Sequence, residues 1–191
     1  MEENIERHVL TILYEDFRRL NLLFSTDLEQ ETFLIDDSIS ANSQFIARQF
    51  CRASFALVGA IVFWARVSAA KGIEENGIRI MPEEWVEIRE RKINANSDGS
   101  YSEERVFVKL KASIRNAFAW KERASGNPKL FDPSREWWCC LMQSIKVRDR
   151  LMHPRQTEDL HISLEELLGI YKGVRGLEDA LYAYESLEIE K

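Results

Sequence analysis

The sequence has few of the residues that punctuate a chain, with 8 Gly and 4 Pro in 191 residues. Tight turns draw on those two residues for their backbone geometry, so a turn-rich β protein of this length is excluded. Cysteine is equally scarce. Cys51, Cys139 and Cys140 make an odd set with no C-x-x-C spacing, which excludes a disulfide framework and gives no zinc site. Adjacent thiols at 139 and 140 point different ways on a helix and read as small core residues. Long apolar runs are also missing. The longest, 53–65, is thirteen residues followed by Arg66. It is too short to span a bilayer and reads as a buried core helix. The N-terminus, MEENIERH, is polar and acidic rather than signal-like, and no N-x-[ST] acceptor occurs. The expected compartment is the cytoplasm, with no membrane partner.

What is abundant is apolar residues (45%) and charged ones (30%), a globular composition rich in helix formers. A chain of this size buries enough surface to need no disulfide or metal staple. Net charge is −6, but unevenly spread. Residues 105–155 hold twelve Lys/Arg against four Asp/Glu, whereas the remainder holds fourteen against twenty-eight. A basic third inside an acidic protein marks either a surface for a polyanion or a face that pairs with its acidic neighbours.

Apolar residues at three- and four-residue steps predict helices over about 4–24, from Asn42 or Ser43 to Lys71, and from Pro82 to about Lys92. Gly72 is the expected cap of the second. That helix is apolar nearly all round, so Ala56, Leu57, Ile61 and Phe63 are expected to be buried. Pro82-Glu83-Glu84 sets a helix start with acids on the dipole. The segment 94–102 (NANSDGSYS) reads as an exposed loop. Ser100 and Glu103 have capping-box spacing and open a fourth helix that ends at Gly126-Asn127-Pro128. Asp132-Pro133 begins a fifth, through Trp137 and Trp138 to His153-Pro154. Ser163 and Glu166 cap the last. Nothing alternates with period two for long enough to predict a strand. The expected fold is all-α: a single domain over 1–191, an antiparallel bundle of about five main helices.

Most motifs that carry chemistry are missing. Gly72 to Gly77 has phosphate-loop glycine spacing, but Ile78-Arg79 stands where Lys and Ser/Thr are required. There is no H-E-x-x-H and no G-x-S-x-G. The pairs Glu83-Glu84, Glu103-Glu104 and Glu165-Glu166 fall at expected helix starts, where the dipole accounts for them. Of three histidines, His8 lies among charges and His161 in a polar linker. His153 ends the string Arg148-Asp149-Arg150-Leu151-Met152-His153, an R-x4-H pattern at the end of a helix and directly before Pro154.

This string resembles the R-x4–6-H motif of the HEPN superfamily, small helical-bundle proteins of which many are ribonucleases. Asp149 fits the polar residue that commonly follows the Arg. The resemblance implies a metal-independent endoribonuclease with no cofactor, of toxin or abortive-infection type, with an antitoxin protein as a candidate partner. Arg148, Asp149 and His153 would be the catalytic set. An arginine offers phosphate a planar fork, and a histidine exchanges protons near neutral pH. The 2′-OH of RNA supplies the nucleophile, leaving a 2′,3′-cyclic phosphate and a 5′-OH. Lys146, Arg150 and Arg155 would hold the RNA backbone.

On an ideal helix Arg148 and His153 would be rotated about 140° apart. Pro154 biases His153 out of the helical region, which lets the imidazole swing relative to the Arg. The resemblance also implies a homodimer with facing motifs, and Trp137 and Trp138 are candidates to bury across it. Family members often add an acidic residue on an earlier core helix. Here no Asp or Glu lies between Ser43 and Ala70, and Arg52, Ser54 or Ser68 are the possible stand-ins. The alternative is a non-catalytic helical interaction module in which the Arg148-Asp149 pair is structural.

Overall fold

A computed structural model describes residues 10–22, 34–35, 38–39, 41–126 and 131–189. The chain is mostly helical. Helix α1 covers residues 10–22, and a minimal two-residue pairing (β1, Leu34–Ile35; β2, Ser38–Ile39) precedes the long helix α2, Ala41–Glu75. Then come α3 (Pro82–Arg89), a hairpin of β3 (Arg91–Ala95) and β4 (Tyr101–Arg105), α4 (Leu110–Ser125), α5 (Glu136–Met152), a 3-10 turn (Thr157–Leu160) and α6 (Leu164–Ile189). His8, Asp36, Asp37, Asn127 and Pro128 lie outside the described residues. Two compact units divide the chain.

The first unit comprises residues 1–61 and 132–181. Phe17 of α1 stacks on Phe50 of α2 and on Tyr171 of α6, with ring centroids 5.3 and 6.3 Å apart. Leu57, Val58, Ile61, Leu141, Ile162, Ile170, Val174 and Leu177 complete a core with almost no solvent contact. Helices α5 and α6 run antiparallel. A Cβ on Gly173 would come within 2.7 Å of the Leu141 backbone, and one on Gly176 within 2.2 Å of the Trp137 ring. Only glycine permits this approach. Trp138 is buried within the chain and Trp137 packs on the α6 glycine. The two rings meet edge to face at 5.9 Å. Both are therefore elements of intrachain packing, Trp137 being only half-buried by it.

The second unit comprises residues 62–131 and 182–191. Its core gathers Ala69, Ile73, Ile88, Trp120 and Ala124, with Ile78, Ile80 and Trp85 against it. Contacts step in the same direction along α2 and α4, Ser68 with Lys121 and then Gly72 with Ala124, so these two helices run parallel rather than antiparallel. Helix α2 passes Gly72 and ends at Glu75; Gly77, with φ +62°, and the bond from Ile78 N to Ile73 O (2.9 Å) make a left-handed cap of Schellman type. Gly72 instead permits the close approach of Ala124.

The hairpin also corrects the sequence reading. Ser100 and Glu103 do not cap a helix. The Asp98 carboxylate accepts from Ser100 N and Oγ at 2.9 and 2.6 Å, closing a turn. Tyr101–Arg105 then pairs antiparallel with Arg91–Ala95. The exposed loop shrinks to the tip of a ribbon, and α4 starts seven residues after Glu103, at Leu110.

Part of α2 is long and apolar enough by composition to cross a membrane. Its apolar girdle is not uniformly covered, however. Leu57 and Ile61 are buried as expected, but Ala56 is exposed and Phe63 is 46% exposed. Phe45 is 58% exposed.

Candidate functional site

Helix α5 ends as its sequence requires. His153 takes φ −132° and ψ 57°, out of the helix, and its N–H still donates to Asp149 O at 3.1 Å. The imidazole is exposed.

The segment that follows is held at several points. Gln44 of α2 pairs with the Ile162 backbone twice, donating from Nε2 to the carbonyl (2.9 Å) and accepting the N–H on Oε1 (3.0 Å). Arg48 donates to Leu160 O at 3.2 Å. The Asp159 carboxylate accepts from Arg155 N and Gln156 N. At the start of α6 the predicted capping box is complete, with Ser163 N to Glu166 Oε2 at 3.0 Å and Glu166 N to Ser163 Oγ at 3.1 Å.

Arg150 ties these together. It donates to both Glu166 carboxylate oxygens at 3.0 Å, to Asp159 O at 3.2 Å and to His161 O at 2.7 Å. Four of the five guanidinium N–H donors are thereby engaged, the carboxylate bidentately. Arg150 is therefore a positioning residue, which corrects its assignment to the RNA backbone.

Arg148 lies on another face of α5. Its guanidinium stands 5.6 Å from the centroid of the Phe55 ring of α2, and Nη1 is 3.1 Å from the Asp149 carboxylate. The side chains of Arg148 and Asp149 are 39% and 59% exposed, and an ion pair that open holds little energy. Behind Arg148 lies buried Cys51. Burial pushes its thiol up to about 12, against the opposing pull of Arg148, Arg52 and Arg150. Cys51 is a core thiol with no reactive character.

Lys146 sits two residues from Arg148 along α5, a rotation of about 200°. It lines an open groove of about 1000 Å³ between α5 and α6, shared with Cys139, Cys140, Val147, Leu168 and Gly169. Neither Arg148, Asp149 nor His153 lines that groove. Arg150 lines this groove beside Lys146, whereas Arg148 lies on a different surface. Arg155 is exposed two residues beyond His153.

The three stand-ins for the missing acid differ sharply. Ser54 is fully buried, its hydroxyl without a partner among the described residues. Ser68 accepts from buried Lys121 in the second unit. Arg52 is exposed on α2, three residues before Phe55, hence one turn from the ring that carries Arg148. Sequence reading undervalued Arg52 because periodicity names a face only when its neighbours are known. No group of three or more His, Cys, Asp or Glu suited to a metal occurs among the described residues. Comparison with family models, curated proteins and solved structures gives no match.

Proposed function

We propose that the chain is a HEPN-type, metal-independent endoribonuclease of toxin or phage-defence kind. Arg148 stabilises the charge gathering on the phosphate and His153 moves protons between the 2′-OH and the leaving 5′ oxygen. The observation that carries this reading is the contrast between Arg150 and its neighbours. The chain engages four of the five N–H donors of Arg150 and with it clamps the segment after His153. Among the described residues it leaves Arg148 held only by an exposed adjacent carboxylate and the Phe55 ring, and leaves the imidazole exposed. A cation spared from internal pairing can exchange Asp149 for a phosphate at small cost. Asp149 holds Arg148 in place until the phosphate takes over, and its carbonyl fixes His153 N. A second copy related by a two-fold axis would set another Arg148 and His153 opposite, a composite site for which light scattering would report a dimer.

The test is incubation of the purified chain with mixed RNA in EDTA. Fragments ending in 2′,3′-cyclic phosphate are expected from the parent and none from His153→Ala. Equal cleavage by both proteins would sink the assignment. A second reading, a non-catalytic interaction module, is favoured by the open α5–α6 groove, which contains none of Arg148, Asp149 and His153. Intact RNA under all conditions would leave that reading standing.

A further inference from the structure

We infer that the substrate of this site is single-stranded RNA, gripped by the exposed face of α2: Arg52 binds a backbone phosphate beside Arg148, and Phe45 stacks an unpaired base. The inference rests on the ribonuclease reading and deepens it.

Three observations carry it. First, α2 holds no Asp or Glu from Ser43 to Ile73, while Arg48 and Arg52 lie in its first half, so a polyanion meets no repulsion along that stretch. Second, the two arginines differ as Arg150 and Arg148 do. Arg48 is spent on Leu160 O, whereas Arg52 is exposed with no side-chain partner among the described residues. Arg148 reaches the ring of Phe55, which lies three residues after Arg52 and so one turn along the same side of α2; this places the two guanidinia on one side of that helix. Third, Phe45 is 58% exposed and seven residues before Arg52. Two helical turns place it on the same face, about 10 Å along the axis, within reach of the next nucleotides of an extended strand. A protruding aromatic ring serves unpaired bases, since those of a duplex are already stacked.

The test uses the full chain carrying His153→Ala, so that RNA stays intact. The probes are a fluorescein-labelled 12-nucleotide RNA of mixed sequence and the same strand annealed to its complement. Phe45→Ala is expected to weaken binding of the single strand about fivefold or more and to leave duplex binding unchanged. Arg52→Ala is expected to weaken the single strand and lower the slope of log K against log salt by about 0.7, the value for one phosphate contact on a single strand. Lys146→Ala is expected to bind as the parent does. Both side chains are exposed, so thermal unfolding should show all variants folded. Single-strand affinity unchanged in Phe45→Ala and Arg52→Ala would overturn this placement while the ribonuclease reading survives on its cleavage test. Failure of the parent to bind either RNA would overturn both.

Discussion

Two charged networks, one in each unit of this chain, place their side chains in opposite ways. In the second unit the network is inside and mutually engaged. Glu90, in the left-handed conformation at φ 48°, pairs with Arg66 and accepts from Ser113 Oγ, and the three are nearly or fully buried. Lys121 is buried with its ammonium on Ser68 and 5.0 Å from the Trp64 ring. Such groups serve the fold, since a buried charge deprived of its partner is costly. In the first unit the network lies near the surface, is centred on Arg150 and Glu166, and fixes a loop. Around it Arg52, Arg148, His153 and Arg155 are left to solvent or to weak partners. Cations of identical chemistry are thus sorted by what they touch, and function is sought among those the fold does not consume.

The sharpest way to break this contrast is to remove one residue of each kind. Under the proposed mechanism His153→Ala should reduce RNA cleavage about 10²- to 10⁴-fold, the usual worth of an acid–base group. Arg148→Ala should lose most activity too, and Arg148→Lys should not restore it, because an ammonium lacks the two-pronged geometry. Unfolding midpoints should move by no more than about 0.5 kcal/mol, as for surface substitutions. Destabilisation by several times that amount would mean these residues belong to the structural class.

Glu90→Ala should do the reverse. Stranding Arg66 in a largely buried position is expected to cost about 3–5 kcal/mol, read as a lower urea midpoint. Adding Arg66→Met should recover part of it, since the unpaired charge is then gone. Arg150→Ala removes a half-exposed pair and should cost less, about 1–3 kcal/mol. A Glu90→Ala protein as stable as the parent would remove the distinction between the units.

Much of the helical pattern was legible in the sequence, because its signals are local. Ser163 and Glu166 form the box their spacing implies, and Pro82 opens α3. The same spacing at Ser100 and Glu103 misled, because Asp98 and Gly99 close a turn that sends those residues into a five-residue strand, too short for its alternation to register. Ala56 and Phe63 were misassigned because a helix apolar all round does not say which side its neighbours cover. The site was legible only as a string. That Arg148 and Lys146 serve different surfaces, and that Arg150 is spent on Glu166, depends on how α5 meets α2 and α6, contacts made across more than ninety residues in the case of α2.

Glycines on α6 allow a finer comparison inside the first unit. Gly176→Ala drives a Cβ into the Trp137 ring, 2.2 Å away, and Gly173→Ala meets the Leu141 backbone at 2.7 Å. Each should cost about 1–3 kcal/mol through overpacking, seen as a fall in Tm. Gly169 faces open space, with nothing within 4 Å, and lines the α5–α6 groove. Gly169→Ala should therefore stabilise α6 slightly, by about 0.5–1 kcal/mol, because alanine loses less backbone freedom in a helix. A loss of stability at 169 equal to that at 173 would mean the helices are as tightly apposed there as at Leu141.

The smallest expected effect separates two exposed cations that the sequence grouped together. Arg155 stands two residues beyond His153, on the segment that Asp159 and Arg150 hold in place. Lys146 lies in the α5–α6 groove, away from Arg148. If RNA lies along α2 and past His153, Arg155→Ala should remove at most one phosphate contact. That would lower the salt slope of binding by about 0.7 and weaken affinity only a few-fold near physiological salt, where exposed charges are already well screened. Lys146→Ala should leave slope and affinity unchanged. The measurement is a titration of labelled single-stranded RNA at several salt concentrations with both variants in the His153→Ala background. Equal loss in the two would place RNA across both faces of α5. Loss at Lys146 alone would move the RNA into the groove and turn the argument from Arg148 and α2 toward α6.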